Sequence, residues 1–273
     1  MGKIVRLISA DQTTAPDARG NVVGLETANA RRRRRDFPYY AGQPVSLGMG
    51  AWTLLLLSVL ASYALVSWVP LFSIFDLFLS RLLFAGIPFA ILVGLVGRDC
   101  QALFGRFGLR EAAVCIGAGL LAVVASIAAA LVVGEFAPLS PNPVSEFLAT
   151  QPPREFVQLL LILLPQLLGE ELLTMLPFLA ILQLTASHWG WRRRSSIALA
   201  LLGSTLLFSA GHLPTYDWNW AQCFGVIGAA RVVWTLAYIA TRSLWVSIGA
   251  HILTDGVAII LALLAAEIFP WTI

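Results

Sequence analysis

The sequence predicts an all-α protein, a polytopic transmembrane bundle of about seven to eight helical spans. Hydrophobic residues make up 58% of the 273-residue chain and charged residues only 12%, whereas soluble domains carry about 25% charged residues. Long apolar runs, separated by short polar segments, are also long enough to cross about 30 Å of hydrocarbon as helices. A soluble, water-exposed fold is therefore excluded.

Seven apolar runs are predicted to form spans, and an amphipathic segment over 71–80 is predicted to lie at the interface because Phe72, Phe75 and Phe78 repeat every three residues around Asp76. The predicted spans are Ala51–Val69, Leu82–Gly97, Ala112–Gly134, Phe156–Thr185, Ile197–Ala210, Ala221–Thr241 and Leu244–Ala266. Five prolines between Phe136 and Pro153 predict an external loop. Pro165, Gly169 and Pro177 predict that the fourth span is kinked or split.

Residues 1–45 are predicted to form a basic, mobile cytoplasmic tail, and residues 46–273 the transmembrane domain. The tail holds four acidic and eight basic residues, and five of the basic residues form the arginine run 31–35. Such a run beside a membrane span is typical of a topogenic signal or a contact with anionic lipid, so no nucleic-acid partner is predicted. With the amino terminus in the cytoplasm, seven arginines of the later loops lie inside, and only Arg81 and Arg154 lie outside.

The fourth span carries two adjacent carboxylates, Glu170 and Glu171, which are costly inside a membrane and need partners, water or a proton. Successive helical residues point about 100° apart, so the two side chains are expected to have different roles. Arg231, near the middle of the sixth span, is predicted to pair with one of them. His212 and His251 lie in other apolar segments, and Asp255 shares the helix face of His251 at i+4.

The ordered motifs Glu-Glu, Phe-x-x-x-His and His-x-x-x-Asp, on three hydrophobic helices within residues 150–260, resemble those of the CPBP family of intramembrane proteases. That family includes CAAX prenyl endopeptidases and bacteriocin-processing enzymes of the Abi type. The resemblance implies a membrane-embedded endopeptidase whose catalytic residues are Glu170, Glu171, His212, His251 and Asp255. It also implies a peptide or protein substrate and a location in the bacterial inner (cell) membrane. One departure is that Met175 occupies the position of the arginine in the family's Glu-Glu-x-x-x-Arg motif.

Two hydrolytic schemes fit these residue types. In the first, Glu170, His212 and His251 bind a zinc ion that keeps a position open for water. In the second, Glu170 is the general base for a water molecule and no cofactor is needed. The sequence favours the second scheme because Glu171 and Asp255 supply further acid and base groups. The alternative function is a non-proteolytic scaffold or transporter that uses the same buried polar cluster, although no internal repeat typical of transporters is present.

Overall fold

A computed structural model describes residues 36–68, 74–142 and 153–268. Every regular element within these ranges is helical, and none is a strand. This confirms the all-α prediction.

Seven long helices account for most of the described chain, and shorter helical turns connect several of them. The long helices are α1 (Met49–Trp68), α2 (Ile74–Val96), α3 (Leu109–Gly134), α4 (Pro153–Leu182), α5 (Arg193–Gly211), α6 (Gly228–Thr241) and α7 (Leu244–Ile268). The shorter elements are the 3-10 turns Gly97–Cys100 and Pro214–Tyr216, the single helical turn Gln101–Phe104, and the π-helical turns Gln183–His188 and Gln222–Ile227.

Seven helical stretches of the described residues are long and apolar enough to cross a membrane, which confirms the predicted polytopic architecture. Large apolar side chains are exposed along the outer faces of the bundle, among them Leu57, Val124 and Leu131. Such helices are apolar both inside and outside the bundle, as expected where lipid takes the place of water.

Helix α4 is the central helix of the bundle. In its apolar stretch 72% of the residues are buried, against 11% in α3. Pro165 and Pro177 both lie inside α4, which runs without a break from residue 153 to residue 182. Of the two predicted outcomes, a kink or a split, the split does not occur, because neighbouring helices that surround a membrane helix can accommodate the backbone groups that proline leaves unpaired.

The interfacial segment predicted over residues 71–80 does not form a separate element. Residues 69–73 lie outside the described residues, and α2 already begins at Ile74. Asp76 falls in the first turn of this helix, where the helix dipole stabilises a carboxylate. Consequently Arg81 lies about 10 Å into a membrane-spanning helix at 1.5 Å per residue, rather than in an external loop.

The last part of the predicted tail packs against the helices. Residues 1–35 lie outside the described residues, and the compact helical unit begins at Phe37. Phe37 and Tyr39 are buried, the Phe37 ring lies 5.5 Å from that of Phe178, and the Tyr39 hydroxyl donates a hydrogen bond to the Asp99 carbonyl at 3.0 Å. Burial raises the pKa of the Tyr39 phenol. The boundary predicted at residue 45 therefore falls inside the packed unit, because aromatic rings in the tail bury apolar area against α4 and α6.

Candidate active site

The two adjacent glutamates of α4 occupy different environments. The Glu171 side chain is completely inaccessible, whereas 11% of the Glu170 side chain remains exposed. This difference follows from the angle of about 100° between successive side chains of a helix. Glu171 faces α6 and α7, whereas Glu170 lies next to Gln166 of its own helix and to His251.

Glu171 forms a buried, bidentate ion pair with Arg231 of α6. The Arg231 Nη1 donates to Glu171 Oε1 at 2.6 Å, and Nη2 donates to Oε2 at 3.1 Å. The Ser247 hydroxyl donates to the same Oε2 at 2.5 Å. These three hydrogen bonds compensate for much of the free-energy cost of removing the carboxylate from water. The predicted partner of Arg231 is present, and it is Glu171 rather than Glu170.

The remaining contacts of Arg231 also lie inside the protein. Its Nε donates to the Thr235 hydroxyl at 3.2 Å, and Nη2 donates to the Ser247 hydroxyl at 3.0 Å. The guanidinium carbon lies 5.1 Å from the ring centres of both Phe208 and Trp234, within the range of cation–π attraction. Arg231 is fully buried, so its charge serves the internal structure.

His251 of α7 lies between the buried ion pair and Glu170. Its Nδ1 lies 3.1 Å from Glu171 Oε1, and because the paired carboxylate can only accept, Nδ1 is the donor. The Nε2 atom then faces Glu170 Oε2 at 3.7 Å and Asp255 Oδ2 at 3.5 Å. The Trp234 ring stacks on the imidazole at 3.8 Å and 26°. The orientation of His251 is thus fixed by a hydrogen bond on one side and an aromatic ring on its face.

Glu170 is held by its own helix and by the packing of α2. Gln166, one turn earlier, donates to Glu170 Oε1 at 2.8 Å. The preceding residue, Gly169, lies against the Phe84 ring, and a Cβ atom at position 169 would lie 2.7 Å from the Phe84 Cε1 atom. The absence of a side chain at Gly169 therefore lets α2 approach the backbone beside Glu170.

His212 lies at the edge of this cluster, just after the end of α5. Its Nδ1 donates to the Phe208 carbonyl at 2.9 Å, which leaves Nε2 as an acceptor. The imidazole stacks with Tyr216 at 6.5 Å and 25°, and burial raises the pKa of the Tyr216 phenol. The Phe208 ring lies 4.5 Å from the His212 ring and 6.1 Å from the His251 ring. Phe208 therefore contacts both imidazoles of the site.

The structure brings five of the six site residues predicted from the sequence into direct contact with one another, and places His212 beside them. Those in contact are Glu170, Glu171, Arg231, His251 and Asp255. Among the residues that the structure describes, no group of three histidine, cysteine or acidic side chains is arranged to hold a metal ion. The set Glu170, His212 and His251 named for zinc is thus not a preformed ligand set.

Sequence reasoning missed three side chains that position the site. Ser247 precedes His251 by four residues on α7, and Gln166 precedes Glu170 by four residues on α4. This spacing places Ser247 on the helix face of His251 and Gln166 on that of Glu170, so it was the available signal. Trp234 had no comparable signal, because its stacking on His251 depends on how α6 packs against α7.

A comparison with protein families agrees with this geometry. Residues 152–257 match the family described as type II CAAX prenyl endopeptidase, Rce1-like. The segment 152–257 is therefore similar to that family. This confirms the resemblance to the CPBP family over the segment that contains all the site residues, and it supports a protease of the intramembrane CAAX type. No curated protein and no solved structure matches the chain.

Proposed function

We propose that this protein is an intramembrane endopeptidase that hydrolyses a peptide bond of a membrane-associated peptide or protein with a water molecule activated by Glu170. The observation that carries the proposal is the position of Glu170, which is partly exposed and faces His251 Nε2, while a buried ion pair fixes the other side of the imidazole. The Rce1-like domain over the same residues supports hydrolysis of a peptide bond.

In the proposed reaction, Glu170 accepts a proton as the oxygen of water forms a bond with the carbonyl carbon. The carbonyl π electrons move to oxygen and give a tetrahedral oxyanion. When they return, the C–N bond breaks, and the proton held by Glu170 passes to the leaving amine. His251 and Asp255 orient the water, and His212 supplies a second imidazole that also contacts the Phe208 ring.

The ion pair of Glu171 with Arg231 supports this chemistry by holding the His251 ring in place. Met175 lies one turn after Glu171 and is fully buried, so an arginine at that position would face the same carboxylate. In this chain Arg231 supplies the cation from α6 instead. Its role is to hold Glu171, and through Glu171 the His251 ring.

The proposal favours the scheme without a metal, and the zinc scheme is its alternative. Elemental analysis of the purified protein distinguishes them. One zinc per chain that is lost in His212→Ala would establish the metal scheme and leave the proteolytic function intact. A metal content near zero in a preparation that cleaves peptides would establish Glu170 as a general base without zinc.

Cleavage itself is tested by incubating the purified protein with a peptide library in detergent and identifying the products by mass spectrometry. The wild-type protein should produce defined fragments, and Glu170→Ala should produce none while it still inserts into membranes. Wild-type protein without cleavage activity on any peptide would contradict the proposed function.

For the location, we propose the bacterial inner membrane with the amino terminus in the cytoplasm. Five arginines support this orientation: Arg98, Arg106 and Arg192 lie in the connections before α3 and α5, and Arg193 and Arg194 lie in the first turn of α5. Because Arg81 lies inside α2 and not in an outer loop, the excess of arginines on the cytoplasmic side becomes larger. Reporter fusions after residue 273 should be active only outside the cytoplasm, and cytoplasmic activity would contradict the orientation.

A further inference from the structure

The proposed reaction needs a donor for the oxyanion. His251 and His212 donate through Nδ1 to Glu171 and to the Phe208 carbonyl, so each neutral ring presents only an acceptor at Nε2. Asp255 can only accept when ionised.

The donors of Arg231 are directed to Glu171, Ser247 and Thr235 in a fully buried position. An oxyanion is stabilised by preorganised N–H groups in a site with little water. A second cation with free donors beside Glu170 would meet this need.

Arg81 of α2 lies in such a position. Phe84, one turn later on the same helix, packs against Gly169, and Phe78, one turn earlier, lines a groove together with Ile162 of α4. The two helices therefore run side by side, and Arg81 falls between these two contacts. This places Arg81 beside the segment of α4 between Ile162 and Gly169, which leads directly to Glu170.

The guanidinium of Arg81 has few partners for a charged group in a membrane span. Its Nη1 donates one long hydrogen bond, 3.4 Å, to the Val66 carbonyl. Its Nε is buried and has no hydrogen-bond partner among the described residues. Within the described residues Arg81 forms no ion pair. A guanidinium with so few partners inside a membrane span is expected to mark a functional site.

We propose that Arg81 is a catalytic residue whose N–H groups stabilise the oxyanion of the tetrahedral intermediate. This inference rests on the proposed function of Glu170. As water adds to the carbonyl carbon, the negative charge develops on oxygen in the space between Glu170 and Arg81. Arg81 donates hydrogen bonds to that oxygen and transfers no proton. The charge returns to the carbonyl when the C–N bond breaks.

The test compares wild type, Arg81→Leu and Arg81→Lys with a peptide that the wild-type enzyme cleaves. Loss of one oxyanion donor lowers kcat by about 10²- to 10³-fold, so Arg81→Leu should lose activity to that extent with little change in KM. Arg81→Lys retains the charge but not the planar guanidinium, so its kcat should lie between those of the wild type and Arg81→Leu. Arg98→Leu, at the exposed turn after the same helix, is the matched control and should behave like wild type.

A binding measurement separates catalysis from structural support. A phosphinic analogue of the cleaved peptide carries a tetrahedral anion in place of the scissile carbonyl. Arg81→Leu and Arg81→Lys should lose affinity for it in proportion to their loss of kcat/KM, while their affinity for the product peptide stays unchanged. If Arg81→Leu does not fold, Arg81→Lys alone decides the comparison.

The outcomes distinguish the two proposals. If the wild-type enzyme cleaves and the Arg81 variants keep kcat within about threefold of it, a change too small for a lost oxyanion donor, Arg81 is not catalytic and the proposed function stands. Equal loss of affinity for the analogue and for the product peptide also overturns the role of Arg81. If the wild-type enzyme cleaves no peptide, the proposed function fails, and the inference fails with it.

Discussion

Arg231→Met removes the cation from the buried pair and leaves the Glu171 carboxylate without a charged partner. Both side chains are fully inaccessible, and the pair is bidentate at 2.6 and 3.1 Å. Breaking a buried pair on one side costs about 3–5 kcal/mol, because the remaining charge is neither hydrated nor paired. Arg231→Met should therefore lower the folding equilibrium constant by about two to four powers of ten.

The assay is equilibrium unfolding in mixed micelles. It is applied to the single variants Arg231→Met and Glu171→Gln and to the double variant that combines them. The double variant removes both charges and keeps an oxygen that accepts from Ser247. Its free energy of unfolding should lie within about 2 kcal/mol of the wild-type value, since replacing both members of a buried pair is often nearly neutral for stability. The surface pair of Arg110 with Glu111, whose arginine is 71% exposed, supplies the control. Arg110→Met should cost less than about 1 kcal/mol.

The reasoning would be refuted if Arg231→Met unfolded with the same free energy as Arg110→Met. It would also be refuted if the double variant were as unstable as the sum of the single variants. Additivity would mean that the two residues contribute independently, although they are in direct contact.

Two further outcomes follow from the packing around Glu170 and His251. Gly169→Ala should destabilise the protein by about 1–3 kcal/mol, because its methyl group would overlap the Phe84 ring; thermal unfolding measures this, and Gly86→Ala, at an open position on α2, should cost less. Asp255→Leu should lower kcat by about 10²-fold because His251 Nε2 loses the carboxylate at 3.5 Å, whereas Asp255→Asn, which keeps an oxygen there, should retain most of the activity. Equal stability of the two alanine variants, or equal kcat of the two Asp255 variants, would contradict the corresponding argument.

The sequence was sufficient for those parts of the site that depend on one helix. The four-residue separation of His251 and Asp255 on one helix predicted their contact. The carboxylates and Arg231 within apolar spans predicted an ion pair in the membrane. Which glutamate pairs with Arg231 depends on the rotation of α4 relative to α6. That rotation is set by packing between helices, which no local pattern records.

The same limit explains the errors at the ends of elements. Phe37 and Tyr39 lie in a polar segment, and only the surfaces of α4 and α6 make their burial favourable. The sequence predicts an interfacial segment around Asp76 and leaves Arg81 outside the spans, although a carboxylate in the first turn of a helix is stabilised there. The placement of Arg81 inside α2, which packs against α4, thus required the structure.

The most direct test of the central claim is the ratio of kcat/KM between the wild-type enzyme and Glu170→Gln, measured with one cleaved peptide in reconstituted liposomes. Glutamine has nearly the same shape and can still accept from Gln166, but it cannot take a proton from water. We predict a loss of about 10²- to 10⁴-fold, the range of general-base catalysis, with unchanged unfolding free energy. Cleavage by Glu170→Gln at the wild-type rate would contradict the assignment of Glu170 as the base.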